Sequence, residues 1–291
     1  MRALRLLLTL IVLGAWVSGC TLTRFGYDML PWLSMWQLDR HLDLDDAQRH
    51  LASKKLDALL AWHRQTQLPD YVRLLREAET QLGGAVEAQD IGRWRARVFE
   101  LWNPVVDRLA PDLADLALTL RPAQIDRLDK RLSEGAHDLR RKYLEPGPQR
   151  RIEARAERWQ ERMDGFLGEV TSAQARELRR LAERYPSDEA SWVEEREARG
   201  RDLVRLLRRI EHDKPSRERA IDWCRVYLAD LWRSADQARR QRIEANNANG
   251  DRLVAMMIQG ASRSQRAHLL HKLRGYEDDF ARLSGQIPRR P

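Results

Sequence analysis

Cysteine is nearly missing from this sequence. Only Cys20 and Cys224 occur in 291 residues, so no disulfide framework can hold the fold. Lysine is scarce too. Of 52 basic residues only six are lysine: Lys54, Lys55, Lys130, Lys142, Lys214 and Lys272. Arginine, unlike lysine, pairs bidentately with carboxylates and phosphates. A Gly-rich phosphate loop, His-Glu-x-x-His, a nucleophile elbow and Cys-x-x-Cys are all absent, which removes the enzyme classes that such motifs announce. The apolar run Leu6–Val17 is too short to span a bilayer, which takes roughly 20 residues.

What is present at the start is a pattern. Arg2 and Arg5 precede Leu6–Val17, small residues Ser18 and Gly19 follow, and Cys20 comes next. A basic region, an apolar core of that length and small residues describe a secretory signal. Val17-Ser18-Gly19-Cys20 resembles the lipobox of bacterial lipoproteins, with valine where leucine is commoner. The resemblance implies cleavage after residue 19 and lipid on Cys20. Two buried acyl chains already give stable anchoring, so the membrane is the first partner expected. Thr21 rather than aspartate after the cysteine implies, by proteobacterial sorting rules, the periplasmic face of the outer membrane.

The remaining chain of about 270 residues is enough for one large domain or two modest ones. Charged residues make up 33% and hydrophobic ones 43%, a globular rather than disordered composition. The net charge of +8 suits an anionic partner in principle. Yet acids and bases interleave, as in RIEARAERWQERMD, which describes solvated helix faces. No nucleic-acid partner is expected.

Helical period dominates. Val105, Leu109, Leu113, Leu116 and Leu120 form one apolar seam. Ile152, Ala156, Trp159, Met163, Phe166 and Val170 form another, and Ile221, Cys224, Leu228, Leu231 and Ala235 a third. No alternating strand stands out. The expected fold is all-α: an elongated multi-helix bundle or stacked helical hairpins, with nine or ten helices. Pro69, Pro104, Pro122, Pro186 and Pro215 each sit where a helix can begin. The strongest break is LEPGPQ, with a sub-boundary at 145–149, and a second is expected at NNANGD, 246–251. The expected division is signal peptide 1–19, lipid site and aromatic segment 20–43, helical domain 44–285 and frayed tail 286–291.

Gln48, Gln124, Gln174 and Gln265 each stand three residues after a candidate cap: Asp45, Arg121, Thr171 and Ser262. Leu51, Leu128, Leu178 and Leu269 follow. Three of the four are capping boxes in which glutamine reaches back to the cap amide. At Arg121, proline at the first helical position takes part of that role. The pattern also resembles the Leu-Thr-x-x-Gln motif of small helical periplasmic stress chaperones, with irregular spacing between copies.

Phe25, Tyr27, Trp32 and Trp36 crowd the segment after Cys20. Two roles fit: packing against the bundle core, the favoured one in a tryptophan-rich chain, or seating at a membrane–water interface. This block also carries a resemblance. Gly26-Tyr27, Trp32-Leu33, Trp36-Gln37-Leu38-Asp39, Leu44 to Gln48, and Trp62-His63 to Leu68-Pro69 are similar to a family of uncharacterised proteobacterial lipoproteins, a domain of unknown function. The resemblance implies a helical lipoprotein and no particular activity.

Candidates for chemistry are few. His268 and His271 lie three apart, with no further ligand near in sequence, so no metal is expected. His63 is read as a helix C-terminal cap, and Asp39, Asp43, Asp45 and Asp46 as helix N-terminal acids. Cys224 is read as a small hydrophobe on a seam. No catalytic residue and no cofactor is assigned. The expectation is a non-enzymatic, lipid-anchored binding or structural protein, meeting an envelope protein or polymer. The alternative is a chaperone-like stress protein. An envelope enzyme would have to gather carboxylates or histidines from distant helices, with His41, His63, His268 and His271 as the best candidates.

Overall fold

A computed structural model describes residues 21–184, 189–231 and 236–286. Among them every regular element is a helix. In chain order these are α1 (Thr21–Asp28), α2 (Leu30–Leu42), α3 (Asp46–Thr66), α4 (Leu68–Leu82), α5 (Ala88–Glu100), α6 (Trp102–Ala117) and α7 (Pro122–Tyr143). Then come α8 (Pro148–Leu167), α9 (Ser172–Arg184), α10 (Glu189–Asp213), α11 (Arg217–Asp230), α12 (Gln237–Gln259) and α13 (Arg263–Leu283). Met29, Gln67 and Leu101 each join two of these helices through a single residue. Counting each joined pair as one rod gives ten among the described residues, within the nine or ten expected.

The helices start where local chemistry favours a start. Pro31, Pro69, Pro122 and Pro148 lie in first turns, where a missing N–H costs nothing. Asp45, Ser216, Asp236 and Ser262 accept from the amide three residues on, satisfying orphan donors. Gly168 ends α8 at φ +79, a conformation that side chains resist.

The packing order shows two halves, α2–α7 and α8–α13. Advancing by six helices maps one set of contacts on the other. Within the first half α2 packs on α3 and α7; within the second, α8 packs on α9 and α13. Between halves, α7 packs on α10 as α13 packs on α4, and α6 on α11 as α12 on α5. Each half therefore gives two helices to the other half's core.

One core gathers Leu42, Ala52, Val106, Ala110, Ala114, Ile125 and Leu128 from the first half with Val204, Leu207, Ile210, Ala220 and Cys224 from the second. The other gathers Met163, Leu167, Leu178, Leu253, Met257 and Leu269 from the second half with Leu82 from the first and Val86 just before α5. Burying one such Leu or Ile side chain contributes about 1.5–3 kcal/mol, so neither core closes without the other half's helices. LEPGPQ is thus the joint between two intertwined halves.

Each exchanged contact carries at least one arginine–carboxylate pair. Arg140 of α7 binds Glu197 of α10 through Nε and Nη2 at 2.6 and 2.5 Å. Arg95 of α5 binds Asp251 of α12 at 3.1 and 2.7 Å. Arg217 of α11 binds Asp115 of α6 at 2.6 and 3.1 Å, and Arg76 of α4 reaches Glu277 of α13 at 2.7 Å. Glu197, Asp251 and Glu277 are buried. The Arg140 guanidinium holds the Glu197 carboxyl below the usual carboxylate range. Arg217, with Lys55 beside it, does the same for Asp115. Planar two-point pairing of this kind needs arginine, which accounts for part of the arginine excess and directs it inward.

Several seams shift from their expected positions. In α6 the buried line is Val106, Ala110 and Ala114, with Leu109 and Leu113 beside it, because small residues allow α11 close. In α8 Leu167 is buried and Phe166 is exposed. The break expected at NNANGD does not form: α12 runs through it. Asp251 there is held by Arg95, and its carboxylate lies where a Cβ on Gly92 would be 3.2 Å away, so a long-range ion pair overrides weak local propensity. Leu42 of α2 belongs to the first core, Met35 and Leu38 pack on it, and Leu33 is buried. The helical body therefore begins before residue 44.

Candidate functional site

Val17, Ser18, Gly19 and Cys20 lie outside the described residues, and α1 begins directly after them. α1 rests on α13, and α2 on α3 and α7. The aromatics of this segment part company. Tyr27 turns inward: its hydroxyl meets His63 Nδ1 at 2.9 Å and lies 3.4 Å from the Leu60 carbonyl. Phe25 is 60% exposed, Trp32 59% and Trp36 39%. Core packing is thus corrected for these three, because the inward face of α2 is already filled by Leu33, Leu38 and Leu42.

Beneath α1 the rings continue as a ladder. Tyr27 lies 5.9 Å from His63, His63 5.7 Å from Tyr71, Tyr71 6.0 Å from Phe280 and Phe280 6.5 Å from Tyr276. These spacings suit favourable ring contacts. Burial pushes the His63 pKa down and those of Tyr27, Tyr71 and Tyr276 up. His63 thus stands in the last turn of α3, as expected, and burial favours the uncharged ring that meets Tyr27. Asp279 of α13 shares this region and is 1% exposed. Among the described residues neither of its oxygens has a well-formed hydrogen bond. Burial raises its pKa against the weaker opposing pull of Thr23, Arg24 and Arg282.

The four glutamines form two clasps. Gln48 Oε1 accepts from the Asp45 amide at 3.1 Å and Gln124 Oε1 from the Arg121 amide at 3.0 Å. Their own amides then cross: Gln48 Nε2 donates to Gln124 Oε1 at 3.1 Å, and Gln124 Nε2 to Gln48 Oε1 at 2.7 Å. Each also donates to the carbonyl five residues before its partner, Thr119 at 2.8 Å and Asp43 at 3.0 Å. Gln174 and Gln265 repeat every contact. They bind the Thr171 and Ser262 amides at 2.9 and 3.0 Å, each other at 3.1 and 2.9 Å, and the Gly260 and Glu169 carbonyls at 3.3 and 2.9 Å.

Arg121, the exception in sequence, keeps the glutamine half of the box, while its backbone carbonyl accepts from Gln124 N. Four residues beyond each glutamine the chain buries Ala52, Leu128, Leu178 and Leu269, so Ala52 takes the place expected for Leu51. The sequence signalled each cap; the pairing of caps two by two was missed. The only signal for it is that the copies fall into two couples, each enclosing four helices.

The remaining candidates stay separate. Asp45 caps α3; Asp39 pairs with Arg49 and Asp43 with Arg127. Asp43 follows α2 at φ 53, so it ends a helix rather than starting one. His41 Nδ1 meets the Gln37 carbonyl at 2.8 Å. His268 lies against Gly168, where an added Cβ would be 3.5 Å from the ring. Among the described residues no three His, Cys, Asp or Glu side chains gather as a metal site would need. Cys224 is buried in the first core, and burial pushes its thiol up to about 12, which suppresses the thiolate. A groove of about 770 Å³ lies along α10 and α11 between Arg199, Arg209, Trp223 and Tyr227. The Arg209 guanidinium covers the Trp223 ring at 3.8 Å.

Residues 40–233 match Family of unknown function (DUF6279). That is half the chain or more. The chain belongs to this family. The matched residues take in the first clasp and Gln174 but end before α12 and α13, although the second core is built on both. Gly26-Tyr27, Trp32-Leu33 and Trp36 lie before the matched span. No curated protein and no solved structure matches the chain.

Proposed function

We propose that this is a lipid-anchored helical protein, held through Cys20 at the periplasmic face of the outer membrane, where it binds or supports another envelope component. One observation carries the reading. A basic start, a short apolar run, Val17-Ser18-Gly19 and Cys20 end immediately before α1, so a lipid there would sit at the edge of the folded body. No helix of the described residues is long and apolar enough to cross a membrane. The intertwined halves support a rigid, non-enzymatic body that presents long helical faces. The chaperone-like reading rests on the Leu-Thr-x-x-Gln similarity. In this chain those glutamines are engaged with one another, which gives the motif an architectural account.

The test is the intact mass of membrane-fractionated protein, wild type against Cys20→Ala. A lipid-sized mass gain that the substitution removes, with loss from the membrane fraction, is the expected result. An unmodified wild-type chain in the soluble fraction overturns the reading.

A further inference from the structure

Phe25, Met29, Trp32, Trp36 and Arg40 follow one another at spacings of four, three, four and four residues. That is a single stripe along helices of 3.6 residues per turn. Met29, the link between α1 and α2, keeps right-handed helical angles, φ −80 and ψ −12, so the stripe passes through the joint. The Trp32 and Trp36 rings stack at 6.4 Å, and the Arg40 guanidinium sits 5.2 Å from the Trp36 ring. Phe25 and Trp32 are among the most exposed large apolar side chains described. Together with Trp36 they gather over a dozen residues; the other exposed ones, such as Val98 and Val226, are dispersed. The opposite face of α2 is committed to the first core.

We infer that this stripe lies in the headgroup layer of the bilayer, so that α1 and α2 run along the membrane surface and fix the orientation of the body. The inference rests on the lipid-anchor reading. Two features select a bilayer as the occupant. The proposed lipid site, Cys20, precedes Phe25 by five residues, and α1 rises only about 6 Å from Thr21 to Phe25, comparable to the headgroup layer's thickness. Indole rings flanked by arginine are the composition of an interfacial face, with the ring between apolar and wet regions and the cation toward anionic headgroups. Tyr27 hydrogen-bonded to His63 on the other side of α1 makes this a fixed part of the body rather than a loose tether.

The experiment uses the full chain isolated from membranes and placed in phosphatidylethanolamine–phosphatidylglycerol vesicles with acyl chains brominated near the headgroup. Tryptophan emission is compared for the wild type and Trp32→Phe/Trp36→Phe, which keeps an apolar face and removes the two fluorophores. The expected result is quenching by shallow bromines in the wild type and its loss in the variant, with the thermal midpoint unchanged. Absent quenching in a lipidated wild type, or equal quenching in the variant, overturns the inference and leaves the anchor standing. A second copy as occupant would appear as a dimer in sedimentation that Trp32→Ser/Trp36→Ser dissolves, and it too overturns the inference. Intact mass on the same samples reads the anchor separately. A chain without lipid that does not bind vesicles overturns both.

Discussion

The two clasps use the same contacts and differ in their surroundings. Gln48 and Gln124 are both buried, and the Arg121–Asp45 ion pair closes over them at 2.5 Å. Gln174 is only partly buried, caps built on Thr171 and Ser262 flank it, and its bond to the Gly260 carbonyl is long at 3.3 Å. The energetic worth of a hydrogen-bonded amide depends on what is stranded when it goes, and a buried stranded group costs about 1–3 kcal/mol. The same four-residue device is therefore worth different amounts at its two addresses.

The sharpest way to break the comparison is to remove one glutamine from each. Gln48→Ala strands the Asp45 amide, the Thr119 carbonyl and its partner Gln124, and is expected to cost about 3 kcal/mol. Gln174→Ala in the wetter clasp is expected to cost about 1.5 kcal/mol. Urea unfolding of both variants checks the order, and equal losses would mean that the ion-paired surroundings add nothing. Next in size is the exchanged pair Arg95–Asp251. Arg95→Ala leaves a buried carboxylate without its partner. A fully buried case costs about 3–5 kcal/mol, and water reaching the Arg95 site brings the expected loss to about 2. Arg95→Lys, which keeps the charge and loses the two-point geometry, should recover only part of it in the same melts.

The smallest effect comes from two aspartates that occupy matching places. Asp279 lies fourteen residues after Gln265, and Asp138 lies fourteen after Gln124. Asp279 is sealed near α1, while Asp138 is only half-buried and pairs with Arg141; among the described residues the first half has no counterpart of α1. Burial raises the Asp279 pKa above its unfolded value. Stability from this site is full below the ordinary carboxylate pKa of about 3.9 and is lost as pH rises through the raised value. Asp279→Asn is expected to stabilise the chain by about 1 kcal/mol at pH 7 and to converge with wild type below about pH 4. Asp138→Asn should stay within about 0.5 kcal/mol throughout. Thermal midpoints across that range decide it.

Much of this fold could be read from sequence. Seams at helical spacing between charged residues, such as Ile221, Cys224 and Leu228, announce helices with one buried face. Proline in first turns and LEPGPQ mark where helices begin and where the halves meet. What a seam cannot announce is the surface it meets: nothing around Val204 or Ile210 says that they complete a core begun at Leu42. NNANGD was misread for the same reason, since Arg95, which anchors Asp251, lies 156 residues away. In the candidate site, the aromatic cluster was legible as a cluster. Its division into Tyr27 inside and Trp32 outside required knowing that α2 already had a filled face. The glutamines were legible as caps and illegible as partners, because reciprocal pairing is a property of two caps in space.

The exchange of helices also sets a timetable. α6 ends at Ala117, but its partner α11 ends at Asp230, and synthesis of the residues between takes on the order of ten seconds. Until then Val106, Ala110 and Ala114 lack the part of their packing that α10 and α11 supply, and the first core stays open. The second core waits longer still, for α13. Contacts so distant along the chain also fold slowly once available. Under the proposed lipoprotein reading, in which the chain is threaded unfolded through a membrane pore, an architecture unable to close early keeps its own leading half fit for passage.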